Sequence, residues 1–235
     1  MRGCLFVLVV AAALIALGAW FGAAPLTATV ITSILEGSGY HATSSTVTAS
    51  ADPPLRLLVG HADRVTVDGS GVTWRTFRAA QIDLTLGDVD LFGRTAGSIH
   101  GTITGAELQT TDQTAAATAN VSLDGSGSDA TAAIRVPAAT VDELVRTGVA
   151  KQYGAAVTAT SLVAPDTLRI TTGGAIVEGR LAIDSSGGLV LVTRLGSADL
   201  FRFDSSFPIR LTAVRVSGAD LELTGTLDAQ ALFGG

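Results

Sequence analysis

The sequence contains almost no cysteine and almost no lysine. Cys4 is its one cysteine and Lys151 its one lysine, and charged residues make up only 15% of the chain. Without a pair of cysteines there is no disulfide framework, so the fold has to rest on the burial of apolar side chains. The net charge of −6 at pH 7 also argues against nucleic acid as a partner.

Sequence signatures of catalysis and of cofactor binding are missing as well. The three histidines, His41, His61 and His100, lie near no cysteine or acidic cluster with metal-ligand spacing. No nucleophile elbow or glycine-rich phosphate loop occurs. A dyad of His61 and Asp63 is the alternative to a plain polar pair at the start of a strand. We therefore expect a protein that is not an enzyme and has neither a cofactor nor a metal.

One long apolar segment lies near the amino terminus. Leu5 to Ala24 carry no charge, and a helix of that length spans about 30 Å, the thickness of a bilayer's hydrocarbon core. Arg2 flanks it, so the positive-inside tendency predicts a cytoplasmic amino terminus. We expect residues 1–24 to be a single-pass membrane anchor and residues 25–235 an extracytoplasmic domain. The alternative is a cleaved signal peptide and a secreted protein, because small residues precede Pro25.

Beyond this segment, short amphipathic stretches favour β-strands. The clearest, Ile82–Leu86, alternates apolar and polar residues, and its phase slips by one residue at Gly87-Asp88. A β-bulge there would explain the slip, and bulges bend strands. Similar stretches, separated by Gly, Pro, Asp and Ser, continue to residue 227. The pattern predicts a curved antiparallel sheet.

Two segments have helical spacing. Residues 26–35 form one pattern, which follows Pro25 and ends at a glycine pair. Thr140 and Glu143 are spaced as a capping box at the start of a second, which ends near Gly154. With the strands, they predict an α+β fold in which a curved antiparallel β-sheet wraps one or two helices and leaves a hydrophobic groove or cavity.

An internal similarity raises the question of a repeat. Residues 101–110 resemble residues 214–223, and the tetrapeptide at 68–71 recurs at 124–127. Two related halves are one interpretation. Chance similarity in a chain rich in Gly, Thr and Ala is the other.

The segment from Asp52 to Val67 carries a family resemblance. It reads DPPLRLLVGHADRVTV, a helical turn that Pro begins and Gly60 ends, followed by a strand. With the strand at residues 79–89, it resembles the LmeA-like phospholipid-binding family of bacterial envelope proteins, whose members carry a similar "DPxLxxLLxGxxDxVxV" segment. The resemblance implies non-catalytic binding of phospholipid, with transfer or shielding as its use, and the membrane as a partner.

The candidate site residues lie on this turn, on the strand after residue 80 and on the second helix. Ordinary core residues would show the same pattern. Arg56 and Arg64 are candidates for a headgroup phosphate, because arginine forms bidentate bonds with phosphate oxygens. The candidate lipid-contacting residues are Leu55, Leu58, Ile82, Leu84, Leu86, Val141, Leu144 and Val145.

Two other functions are compatible with the same sequence. An envelope assembly protein would bind a protein partner through an exposed strand edge or an apolar patch. An enzyme acting on glycan or lipid would need convergent polar groups in a cleft around His61 or His100.

Overall fold

The computed structural model of the protein describes most of the chain after residue 31. The described residues are 32–33, 36–37, 39–74, 77–93, 95–109, 116–202 and 209–227. The predicted anchor, residues 1–24, lies outside them, and so does most of the predicted helix at 26–35; residues 32–33 and 36–37 are helical. Among the described helices, none has both the length and the apolar character that crossing a bilayer requires.

The described residues are mostly β-strand. The first seven strands are β1 (Tyr40–His41), β2 (Ser44–Ser50), β3 (His61–Trp74), β4 (Phe77–Asp90), β5 (Thr95–Gln109), β6 (Ala116–Ser126) and β7 (Ala130–Val136). Helix α1 (Ala138–Tyr153) follows. The other strands are β8 (Val157–Val163), β9 (Thr167–Thr172), β10 (Ala175–Ile183), β11 (Leu189–Thr193), β12 (Gly196–Phe201), β13 (Ile209–Ser217) and β14 (Asp220–Leu227). Short 3-10 helices lie at Pro54–Val59 and Gly127–Asp129.

Nine of the strands form a large antiparallel sheet. Its order is β1-β3-β4-β5-β6-β7-β14-β13, and β2 also pairs with β3. At about 3.3 Å per residue, the longest strands reach roughly 45–50 Å.

The register separates apolar from polar residues across this sheet, because side chains of directly paired residues lie on the same face. One row of paired residues runs Gly69, Ile82, Ile103, Val121, Ile134, Leu223 and Val214. The next row runs Asp68, Asp83, Thr102, Ser122, Ala133, Thr224 and Ala213. One face of the sheet is therefore apolar and the other largely polar.

Five strands form a second antiparallel sheet, in the order β12-β11-β10-β9-β8. Helix α1 contacts both β8 and β12, which are the two edges of this sheet, and also contacts β6 and β14 of the large sheet. Contacts with both edges are what a sheet that curves around the helix would make. The prediction of an α+β fold with a curved antiparallel sheet fits the described residues, although their strands form two sheets and not one. The predicted hydrophobic groove or cavity stays a prediction.

One hydrophobic core joins the two sheets and the helix. Buried residues of the large sheet, such as Val65 and Ile134, belong to the same cluster as Val145 of α1 and Leu181 of the small sheet. A smaller cluster contains Tyr40, Val72, Ala79 and Ile82, where β3 ends and β4 begins. Without disulfides, the burial of apolar side chains across the described elements stabilises the fold.

Two local predictions are wrong. The phase slips near Gly87 as expected, but the β3–β4 and β4–β5 registers run through that level without a shift. The slip comes instead from a kink at Asp88, whose φ of 49° is left-handed. The register shift lies further along β5, between Ile103 and Ala106. The capping box is also absent: α1 begins at Ala138, and its N-cap, Pro137, makes no side-chain cap hydrogen bond.

The two similar segments have different structures. Residues 101–107 lie within β5, and Gly105 stands at its irregularity. Residues 214–223 cross the turn between β13 and β14, where Gly218 stands. Both glycines have a left-handed φ, 63° and 64°. The similarity therefore reflects two uses of glycine at a backbone irregularity, and these segments do not indicate related halves.

Candidate functional site

The apolar face of the large sheet holds three of the candidate lipid-contacting residues. Ile82 and Leu86 are buried, whereas Leu84 between them is only partly buried. On the neighbouring strand, Gly101 pairs with Leu84, and Ile103 is likewise partly buried. The centre of this face therefore keeps a partly accessible apolar strip, defined by Leu84, Gly101 and Ile103.

The candidates on α1 lie deep in the core. Val141, Leu144 and Val145 are buried in the cluster that also contains Leu86. The helix is held from outside this face, because Asp142 accepts a hydrogen bond from Thr160 Oγ1 at 2.8 Å. These three residues pack as core; whether any of them also contacts a lipid stays a prediction.

The remaining two candidates are exposed at one end of the large sheet. In the 3-10 helix, Leu57 points into the core and Leu55, Leu58 and Val59 are exposed. Phe92, in the turn between β4 and β5, is also exposed, and its ring lies against Gly60 at the end of the same helix. We call Leu55, Leu58, Val59 and Phe92 the apolar tip. Sequence patterns do not single out Val59, whereas Phe92 has a detectable signal, a lone aromatic residue in a turn next to glycine.

Backbone geometry brings the two halves of the apolar tip together. Gly60 ends the 3-10 helix in the left-handed conformation, with φ 82°, and its N–H bonds Leu57 O at 3.1 Å. Its carbonyl accepts a hydrogen bond from Leu91 N at 2.9 Å. The Phe92 ring occupies the space where a side chain at Gly60 would stand, 2.5 Å from an ideal Cβ. Only glycine permits this contact.

The Asp90 carboxylate organises the turn that carries Phe92. Its Oδ1 accepts hydrogen bonds from Phe92 N at 3.0 Å and from Gly93 N at 2.8 Å. The Gly93 N–H has the largest effect and lowers the pKa of Asp90. Burial opposes it, and the Phe92 N–H and the charge of His61 lower the pKa further. The turn is therefore built around an ionised carboxylate.

We expect this turn to loosen only in acid. A carboxyl whose pKa is lowered by folding stabilises the fold fully above its ordinary pKa of 3.8, and this contribution is lost as the pH falls through the lower pKa of the folded state. A ¹³C NMR titration of the Asp90 carboxyl should show a midpoint below 3.8. Asp90→Asn should remove the titration and increase amide exchange at Phe92 and Gly93. A midpoint at or above 3.8 would contradict this account.

The two headgroup candidates are not arranged as a pair. Arg56 Nη1 lies 2.5 Å from Asp63 Oδ1, and Asp63 Oδ2 accepts a hydrogen bond from Asp52 N at 2.6 Å. Arg64 is exposed further along β3 and has no ion pair with any residue that the structure describes. Because both oxygens of Asp63 are engaged, the arrangement does not favour the dyad with His61. A phosphate-binding role of either arginine stays a prediction.

A groove of about 550 Å³ lies on the polar side of the large sheet. Glu222 accepts hydrogen bonds there from Arg135 Nη2 at 3.2 Å and from Arg215 Nε at 2.7 Å. The bond from Arg215 is the main reason that the pKa of Glu222 is lowered. Hydroxyl and amide groups, including Thr102, Asn120 and Ser122, form much of the rest. Polar and apolar groups share its walls, and the charged groups at its centre make it a poor surface for an acyl chain.

Metal ligands do not converge in the part of the chain that the structure describes. It contains no group of three or more His, Cys, Asp or Glu side chains able to hold a metal ion. His100 Nδ1 instead lies 2.6 Å from a single carboxylate oxygen, that of Asp124, on the exposed face of β5 and β6.

Comparison with known families assigns the chain. A family model described as LmeA-like phospholipid-binding matches residues 18–226. The chain belongs to the LmeA-like phospholipid-binding family. The resemblance seen in the sequence is confirmed, and the family is one of binding proteins. No curated protein and no solved structure matches the chain.

Proposed function

We propose that the protein binds phospholipid without catalysis, with the acyl chains against the apolar face of the large sheet. The observation that carries this proposal is the strip of Leu84, Gly101 and Ile103, where an otherwise buried apolar face stays partly accessible. Membership of the LmeA-like phospholipid-binding family supports a lipid as the ligand.

The dimensions and the energetics of the sheet support such a ligand. An acyl chain reaches about 15 Å, half the hydrocarbon core of a bilayer, so strands of 14 and 15 residues offer ample length. Each CH₂ removed from water contributes about 0.8 kcal/mol. A protein that covers part of an acyl chain can therefore shield or transfer a lipid without chemistry.

The site of action that we propose is the cell envelope. With residues 1–24 as a membrane anchor, the domain would be extracytoplasmic and close to its lipid source. If the same segment were a cleaved signal, the domain would carry lipid as a secreted protein. Both arrangements keep phospholipid and the membrane as the partners.

Native mass spectrometry with lipid extraction, on the full chain in lipid-free detergent, tests the proposal. We expect near-stoichiometric phospholipid on the wild-type protein. Leu84→Asp should lower the bound lipid about tenfold or more, because it places a charge on the acyl-chain surface. Thr104→Asp is the matched control, since Thr104 is exposed on the polar face of β5, and its lipid content should not change.

Two results would overturn the proposal. The first is a Leu84→Asp protein that is folded by circular dichroism and keeps its full complement of lipid. The second is a wild-type protein that carries no lipid and takes none from vesicles. The second result would favour the alternative function, binding of a protein partner.

A further inference from the structure

The apolar tip is continuous with the buried side of the large sheet. Leu57 lies between the exposed Leu55 and Leu58 and belongs to the same core cluster as Leu86 and Val89. Leu91 packs against that cluster from the turn that carries Phe92. The tip is therefore the place where the apolar interior reaches the end of the sheet.

Several backbone N–H groups at the tip are paired within the protein. Pro53 and Pro54 have no N–H group, and the N–H of Arg56 bonds Pro53 O at 3.0 Å. The amides of Gly60 and Leu91 are bonded within the tip, and Asp90 accepts those of Phe92 and Gly93. Backbone groups that are already paired can enter an apolar medium without the cost of unsatisfied hydrogen bonds.

Two of the carboxylates beside the tip have partners within the protein. Arg56 is paired with Asp63, whose second oxygen is engaged by Asp52 N. Asp90 lies close enough to His61 for the histidine to lower its pKa. Asp52 and Asp88 are exposed in the same segments, so acidic side chains outnumber basic ones among the described residues beside the tip. We therefore expect insertion to depend on apolar contact and not on attraction to anionic lipid.

The tip presents a small apolar surface. Four partly exposed side chains present on the order of 300–500 Å² of apolar surface. A standard protein interface needs about 800 Å² on each partner. Little more than half of such an interface is non-polar, so the area alone admits a protein partner. Exposed aliphatic and aromatic side chains on a member of a phospholipid-binding family favour the headgroup region of a bilayer.

We propose that Leu55, Leu58, Val59 and Phe92 insert into the surface of a phospholipid bilayer and form the membrane-docking tip of this protein. The insertion would place the end of the apolar sheet face against the lipid, so that a phospholipid passes between bilayer and protein there. The second statement rests on the proposed lipid binding; the docking itself does not.

Site-specific fluorescence on the full chain tests the docking. With Cys4 replaced by Ser, a single environment-sensitive label is attached at Phe92→Cys or, as the control, at Leu195→Cys in the turn after β11. The controls are matched because Phe92 is 80% and Leu195 79% exposed. A second pair is Leu58→Cys, at 49%, and Val192→Cys, at 44%. The second pair keeps the test valid if the contact of Phe92 with Gly60 does not tolerate substitution.

With phosphatidylcholine vesicles, we expect the emission of labels at residues 92 and 58 to shift to the blue and to be quenched by spin-labelled lipids. The emission of labels at residues 195 and 192 should be the same with vesicles as in water. If the labels at residues 92 and 58 show the same water-exposed emission as the control labels, the docking proposal is wrong. It is also wrong if insertion requires anionic lipid. Test and control labels are each placed on the full chain, so any anchoring by residues 1–24 is present in both measurements.

Lipid content separates this proposal from the proposed function. If the unlabelled protein carries phospholipid but the labels at the apolar tip stay exposed to water, the docking proposal alone is wrong. A tip that inserts, on a protein that never carries lipid, would overturn the proposed function and leave the docking in place.

Discussion

Replacing Leu144 with Asp is expected to unfold the protein. Leu144 is 4% exposed on the face of α1 that packs into the core shared by both sheets. The change removes a buried leucine, which costs about 2–5 kcal/mol, and buries a carboxylate without a partner, which adds a further penalty. The total is comparable to the 5–15 kcal/mol by which a typical domain is stable.

Chemical denaturation followed by circular dichroism measures this effect. The control is Glu143→Ala, because Glu143 is the exposed neighbour on the same helix and should change the free energy of unfolding by less than about 0.5 kcal/mol. A folded Leu144→Asp protein with wild-type stability would mean that this face of α1 lines an open cavity. Leu144 would then be a residue of the lipid site, as its position in the apolar stripe also allowed.

The second large effect is expected from Gly101→Ala. Gly101 has a φ of 154°, and a Cβ there would collide with the Asp83 carbonyl and with the backbone of Leu84. Both obstacles are main-chain atoms of the paired strand β4, so neither can rotate away. Overpacking and backbone strain together should cost about 2–5 kcal/mol.

Gly218→Ala is the matched control for this substitution. Gly218 also has a positive φ, 64°, but nothing lies within 4 Å of the position its Cβ would take. Strain alone should cost about 1 kcal/mol there. The midpoints of thermal unfolding should therefore fall clearly further for Gly101→Ala than for Gly218→Ala. If both substitutions lower the unfolding midpoint equally, β4 and β5 approach each other less closely at Gly101 than the structure shows.

The pairing between Leu84 and Gly101 links this prediction to the proposed function. The same close approach that forbids a side chain at residue 101 leaves the apolar face shallow beside Leu84. A larger residue would disturb the sheet and also fill the strip that we propose for an acyl chain. Lipid content and stability should therefore fall together at residue 101, whereas Leu84→Asp should lower lipid content in a protein that remains folded.

Much of the secondary structure follows from local sequence patterns. Alternation in Ile82–Leu86 predicts the strand there, because successive side chains of a strand point to opposite faces. Proline before residue 55 and glycine at residue 60 predict the short helix, and the apolar stripe after Pro137 predicts α1. The start of α1 and the site of the register shift were predicted wrongly. Both depend on contacts with other strands, such as the packing of α1 against β6 and β14.

The site was only partly predictable. Family membership and a list of apolar candidates came from the sequence, but it could not tell a core residue from an exposed one. Leu57 and Leu58 are adjacent and chemically identical, yet the first is buried and the second is exposed. Phe92 joins Val59 only because the turn after β4 meets the end of the 3-10 helix.

The sequence by itself determined the elements, their order and the family, because backbone periodicity, turn residues and segment spacing are local properties of the chain. The tertiary structure alone decided which apolar residues are covered, that α1 contacts both edges of the small sheet, and that four exposed side chains meet at one end of the large sheet. The physical reason is that burial depends on what packs over a residue, and the covering element is usually distant along the chain.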